Sequence, residues 1–227
     1  MRIILSMLLS SLIFTMSQAQ TKNLSCFTSL STSGNVQVTL KRADQCKADY
    51  KVTKGTEDDL VLEVKNEVLT IKIKSKISGL WNQSSTKAQV TVYYRNLTDI
   101  DCSAGSGISS IEEIVTEKMD IDASSGASCQ IKLKSNLLSV NTSSGSSVKI
   151  TGNAQNASYD VSSGAKIEAG NMITEKVDAN VSSGGSISLH ASKSLKADAS
   201  SGGSIKYKGN PVNKNIDSGM SGSISAY

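Results

Sequence analysis

The sequence predicts an all-β protein: a single-stranded right-handed parallel β-helix with coils of about 20 residues and irregular N-terminal coils. Two observations predict it. A small-residue corner recurs as Ser103-Ala104-Gly105, Ser124-Ser125-Gly126, Ser143-Ser144-Gly145, Ser162-Ser163-Gly164, Ser182-Ser183-Gly184 and Ser200-Ser201-Gly202. Its glycines lie 21, 19, 19, 20 and 18 residues apart. Apolar residues keep phase with those corners. Three before each Gly stand Cys102, Ala123, Thr142, Val161, Val181 and Ala199. Five before stand Ile100, Ile121, Val140, Tyr159, Ala179 and Ala197. Three after stand Ile108, Cys129, Val148, Ile167, Ile187 and Ile205. Columns two residues apart are the signature of strands with one face turned inward. A repeat this short cannot bury its apolar face alone, so the copies must stack.

Taken in order, residues 1–19 read as a secretory signal peptide. Arg2 gives a positive start, Ile3 to Met16 an apolar run, and Ser17-Gln18-Ala19 a small-residue cleavage site. Residues 20–227 then form one β-helix domain, with irregular coils over 20–97 and regular Ser-Ser-Gly repeats over 98–227. In the irregular part, Val36 to Leu40 alternates after Ser33-Gly34, which places Gly34 near the start of the stack. Leu60 to Val64 and Val68 to Ile73 read as a hairpin around Asn66-Glu67. Val90 to Tyr94 is a further strand, and Lys74 to Ala88, holding Trp81, a loop. At the far end, residues 218–227 are expected to form a last, incomplete coil over the Ile205 and Tyr207 rung. A solenoid must cover such an edge.

Composition limits what the molecule does. With 24 Lys+Arg against 20 Asp+Glu, the chain carries too little net charge for a nucleic-acid binder. A single His makes a His-rich metal site or a Ser-His-Asp triad hard to build, and no cofactor is expected. Past the signal peptide, no segment is long and apolar enough to be read as a transmembrane helix.

The chain resembles a bacterial family, the auto-transporter adhesin head GIN domain. The resemblance rests on Phe27 through Gly34-Asn35-Val36-Gln37-Val38, on Val68-Leu69-Thr70-Ile71, and on Val90-Thr91-Val92-Tyr93-Tyr94 with Leu97 and Ile100. The Ser-Ser-Gly corners follow, then Tyr207-Lys208-Gly209-Asn210-Pro211 with Ser218-Gly219. It implies a secreted or periplasmic all-β repeat protein and carries over no catalytic residues.

The best surface feature stands four residues before each corner Gly: Asp101, Asp122, Asn141, Asp160, Asn180 and Asp198. Lying between two apolar columns, this row should point outward. One reading is an Asx ladder, bonding within itself and to the corner amides. The other is a carboxylate row that binds Ca²⁺, or a sugar through cations. Stacked carboxylates about 4.8 Å apart repel by roughly 1 kcal/mol even in water. The interspersed Asn residues relieve that repulsion and favour the ladder. Acidic pairs such as Asp99 with Asp101, or Asp120 with Asp122, arise by default in a repeat. His190 reads as a solvated surface residue. Trp81 with Tyr93 and Tyr94 would make an aromatic sugar platform or cover an irregular core edge.

Four Cys allow three pairings. Cys26–Cys46 would pin the start of the domain to its first coil. Cys102 and Cys129 fall on inward columns one repeat apart, either bridged or buried as thiols. Together these features point to a non-enzymatic, extracytoplasmic binding or structural module, at the periplasm, outer membrane or beyond. Its partner would be a protein or glycan at the cell envelope. The alternative is a carbohydrate-active enzyme on the same scaffold, a glycoside hydrolase or polysaccharide lyase.

Overall fold

The structure is a computed structural model that describes residues 19–74 and 86–227. All of the signal-peptide reading except Ala19 lies outside them, as do Trp81 and most of its loop.

Eight short strands open the domain: β1 (Gln20–Asn23), β2 (Ser29–Ser33), β3 (Val36–Arg42), β4 (Lys47–Lys54), β5 (Leu60–Lys65), β6 (Val68–Ile73), β7 (Lys87–Tyr94) and β8 (Asp99–Ser103). Five long ones follow: β9 (Gly107–Ala123), β10 (Ser128–Thr142), β11 (Ser147–Val161), β12 (Lys166–Val181) and β13 (Ser186–Ala199). The chain closes with β14 (Ser204–Lys208), β15 (Asn213–Ser218) and β16 (Ser223–Ala226). The pairing order runs β9-β10-β11-β12-β13 and continues onto β14 and β15, every step parallel. This is a parallel β-solenoid.

Each of the six glycine corners is a two-residue turn with both residues left-handed. Ser125 has φ 51° and Gly126 φ 73°. The Ala127 amide donates to the Ser124 carbonyl at 3.1 Å, which closes a type I′ turn. Corners also bond to each other: the Gly126 amide donates to the Ser144 carbonyl, 3.1 Å away in the next coil. The backbone at the turn is therefore paired along the stack, like the strands.

Inward columns fill the interior. In β10, Cys129, Ile131, Leu133 and Ser135 are buried, then Leu138, Val140 and Thr142. The step of three from Ser135 to Leu138 marks a second bend within one continuous ladder. A coil is thus two facing strand segments joined by a tight corner on one side and a bent strand on the other. The uneven corner spacing has its cause in the segment between the corner and that bend. Pairing passes from Gln130↔Ser109 to Lys132↔Glu113, so β9 holds two additional residues. It passes from Lys149↔Glu168 to Thr151↔Asn171, so β12 holds one.

The N-terminal part is not stacked in chain order. The coil around Gly34, β2 with β3, lies near the start of the stack as expected, but is not its first rung. Its β2 lies between β6 and β8, and its β3 between β7 and β9. The rung made by β6 and β7 comes later in sequence but lies outside it. Beyond that rung the parallel pattern ends: β4 adds antiparallel to β7, β5 antiparallel to β6, and β1 antiparallel to β4. The β5–β6 hairpin turns at Asn66 and Glu67, both with positive φ.

At the other end β15 lies on β13 and β16 on β14, with Ile224 opposite Ile205 and Ala226 opposite Tyr207. The Tyr227 amide donates to the Tyr207 carbonyl at 3.1 Å. The last segment does cover the Ile205–Tyr207 rung.

Candidate functional site

Alternation along the segment before each corner leaves the Asx row on the outer face. Asp101, Asp122, Asn141, Asp160 and Asp198 are exposed, and Asn180 is half-buried. Parallel register puts each over the next, about 4.8 Å apart. Amides bridge the carboxylates in two places. Asn141 Nδ2 donates to Asp122 Oδ1 at 3.0 Å, and Asn180 Nδ2 to Asp160 Oδ1 at 3.2 Å. Each Asn thus neutralises one acidic step with its own donor. Ser31 Oγ donates to Asp101 Oδ2 at 3.1 Å.

The row lines one wall of a shallow groove of about 500 Å³, with Ser124, Ser143, Ser162, Ser182 and Ser200 along the corner side. Carboxylate oxygens supply acceptors, and serine hydroxyls supply both donors and acceptors. Such a surface offers one carboxylate or amide and one hydroxyl per rung. A parallel row lies two residues earlier on the same face, where cations answer the acids. Lys118 Nζ lies 2.6 Å from Asp120 Oδ2, and Lys196 Nζ 2.9 Å from Asp178 Oδ2. Both lysines are held above the usual ammonium range, first by those hydrogen bonds and then by the charge of the same carboxylates. Among the described residues no group of three or more His, Cys, Asp or Glu is placed to hold a metal ion.

Sequence reasoning missed both ends of the row. Ser31 pairs with Asp101, and Asp217 with Asp198. The last corner uses Ser221, with φ 62°, where earlier ones use Gly, and Gly222 N donates to Gly219 O at 3.0 Å. Counted from Ser221, Asp217 falls at the same offset as the others. Alignment on glycine alone hid it. The lysines were missed as well, because each sits on a column that is polar but not uniform.

A second concavity, of about 560 Å³, follows the far bend. Val115 and Ile173, each 54% exposed, stand on its rim, and Ser135 and Ala154 on its floor. Its two carboxylates are bonded nearby: Asn136 Nδ2 donates to Glu117 Oε2, and Lys193 Nζ to Glu175 Oε2 at 2.7 Å.

The remaining candidates scatter. His190 is half-buried on its outward strand position, with Nδ1 buried and unpartnered. Tyr93 faces outward between Lys41 and Lys47, whose Nζ atoms lie 5.9 and 4.5 Å from its ring centre. Tyr94 turns into the core at 3% exposure, which removes it from any surface aromatic platform. Neighbouring residues on a strand point to opposite faces. Cys26 and Cys46 are bonded, S–S 2.06 Å. Cys102 and Cys129 are buried thiols. The Cys129 thiol is pushed well up by its hydrogen bond to Cys102 and by burial.

Comparison with solved structures finds the same fold. A "putative adhesin" from Bacteroides fragilis has a TM-score of 0.82 at 23% identity, over 92% of this chain and 96% of that one. A "putative adhesin" from Parabacteroides merdae has a TM-score of 0.72 at 16% identity, over 92% and 95%. A "putative lipid binding protein" from Parabacteroides distasonis has a TM-score of 0.69 at 20% identity, over 92% and 96%. No curated protein matches the chain. The family described as "putative auto-transporter adhesin, head GIN domain" matches residues 26–211, from the first bonded cysteine to the proline after β14. With its sequence matched over that span and its coils arranged as in these relatives, the chain belongs to the head GIN domain family.

Proposed function

We propose that the protein is a non-enzymatic, adhesin-like binding module of the cell envelope, working outside the cytoplasm after removal of residues 1–19. The observation that carries this reading is the groove beside the Asx row, a rigid polar strip repeated once per coil. A strip of this kind suits an extended partner, glycan or protein, whose own polar groups recur along its length. The names of the relatives agree with it: two of those compared are described as putative adhesins.

The test joins binding with turnover. The chain from residue 20 is screened on a glycan array and against envelope proteins, and separately for degradation of polysaccharides. Binding that falls at least about tenfold in Asp160→Arg, with the fold intact, is expected. Saturable cleavage of a polysaccharide, abolished by one Asp→Asn change in the row, would overturn the reading in favour of a carbohydrate-active enzyme. Anionic and neutral lipid vesicles form a third arm, since one relative is described as a putative lipid binding protein. Preferential vesicle binding there would replace the glycan or protein partner with a membrane surface.

A further inference from the structure

The interior behind the first two regular corners holds two thiols, on opposite walls of the stack and one coil apart. Cys102 is the inward residue three before Gly105, and Cys129 the inward residue three after Gly126. They are 0% and 1% exposed. The two columns they occupy lie on opposite walls of the coil. One runs Thr32, Cys102, Ala123, Thr142, and the other Val38, Ile108, Cys129, Val148. Cys102 is therefore stacked on Ala123, which stands across its own corner from Cys129. Ala123 is small, and the Cys102 side chain is the leading influence that raises the Cys129 thiol. Among the columns flanking the regular corners, each wall holds cysteine once, and these two cysteines are diagonal neighbours.

We propose that Cys102 and Cys129 are the site of a second disulfide, made while the first regular coils close. The same chain already carries Cys26–Cys46, so folding proceeds where thiols are oxidised. The chemistry is thiol–disulfide exchange with an external disulfide oxidant. One thiolate attacks that oxidant, forming a mixed disulfide and releasing one of the oxidant's sulfurs as a thiol. The second cysteine's thiolate then attacks the mixed disulfide and releases the other. Two protons and two electrons leave the cysteine pair, and the oxidant disulfide becomes two thiols.

Burial sets the timing. In the closed coil neither sulfur reaches solvent, and the Cys129 thiol is held far from ionisation, so exchange is blocked. The bond forms before β10 lies down on β9, or during an opening of that step. Once formed, it ties β8 to β10 across the rung between them, where the irregular N-terminal part joins the regular stack. It encloses Gly105, Gly126 and the two-residue bulge of β9.

The experiment isolates the pair. A Cys26→Ala/Cys46→Ala variant of the chain from residue 20 leaves only Cys102 and Cys129 as thiols. It is unfolded, refolded in a buffer of oxidised and reduced glutathione, then denatured without reductant and alkylated. Expected is a product carrying no alkyl groups, with a cross-linked peptide that contains residues 102 and 129. Its melting transition should lie several degrees above that of the same sample after reduction. Two alkyl groups, at Cys102 and Cys129, on a protein that has regained its β-sheet circular dichroism would overturn the proposal. If the variant does not refold, the same alkylation is read on the unmodified chain. There two alkyl groups beside an intact Cys26–Cys46 bond overturn the proposal, and none supports it.

Discussion

The N-terminal cap and the regular stack close the same kind of strand in different ways. From β9 to β13 every coil is held by its neighbours above and below, through parallel ladders and paired corner amides. The cap replaces that repetition with individual devices: a hairpin at Asn66-Glu67, antiparallel strands, and a disulfide that binds the first segment to β4's approach. The Lys22 ammonium adds one more, donating to the Leu62 carbonyl at 2.7 Å. A repeat distributes stability over many equivalent contacts, whereas a cap concentrates it in a few that have no substitutes.

The largest effect expected from that difference is in the stack. Val148→Asp puts an unpaired charge into a column that is 0% exposed and should cost about 3–5 kcal/mol. Lys149→Asp, one residue on and facing outward, should cost little. Thermal or denaturant unfolding of both variants checks it, and equal losses would mean that the inward phase is wrong.

Next in size is the cap. Replacing Cys26 and Cys46 by Ser opens a link across 20 residues and should cost about 3 kcal/mol. Hydrogen exchange should show the loss confined to β1, β4 and β5, with β10–β12 protected as before. A uniform loss would show that the two regions unfold as one unit.

Two glycines grade the stack itself. A Cβ on Gly152 would stand 2.0 Å from the Leu133 carbonyl oxygen, whereas one on Gly126 has nothing within 4 Å. Gly152→Ala should therefore cost about 2–3 kcal/mol through overpacking. Gly126→Ala carries only the penalty of its left-handed backbone, about 1 kcal/mol. Both glycines have positive φ, 122° and 73°, so the excess melting loss of Gly152→Ala over Gly126→Ala reads the steric requirement.

Acid should touch both regions weakly. A hydrogen bond from Lys166 holds Glu168 below the usual carboxylate range, and one from Thr21 does the same for Asp49. A carboxylate with a lowered folded pKa stabilises above its unfolded value, and that contribution is lost as pH falls through the folded one. Both groups sit half-exposed at the surface, where solvent screens the interaction, so each effect is at most about 0.3 kcal/mol. Comparing Lys166→Met with the parent from pH 6 down to 3 should remove the stack's share and leave the cap's.

How far the sequence reveals the molecule follows the same division. The stack is legible because Ile108, Cys129, Val148, Ile167, Ile187 and Ile205 answer one another at fixed distance from a glycine. Stacking turns sequence offset directly into spatial column. The irregular glycine spacing was visible too, but not its origin, because a bulge inside the strand leaves the corner motif untouched. The cap is only half legible. The Val68–Ile73 strand and its hairpin follow from alternation. The rung order does not, because β2 pairs with β8 across 70 residues and no local pattern reports which edge a strand takes. Most of the Asx row was readable for the reason that the core columns were. Asp217 was lost where Ser221 took over the turn.

That rung order has a consequence for how the chain takes shape as it is made. The rung of β2 and β3 is synthesised first and ends with both edges occupied by later segments, β6 and β7 on one side, β8 and β9 on the other. It is a seed that grows in two directions. Growth one way stops after a single layer, when β4 and β5 close the surface with strands running the wrong way to accept another coil. Growth the other way repeats until β16. A newly made chain therefore carries two sticky faces at the moment when it has fewest residues to cover them. It stays exposed on the productive face until β8 and β9 have arrived.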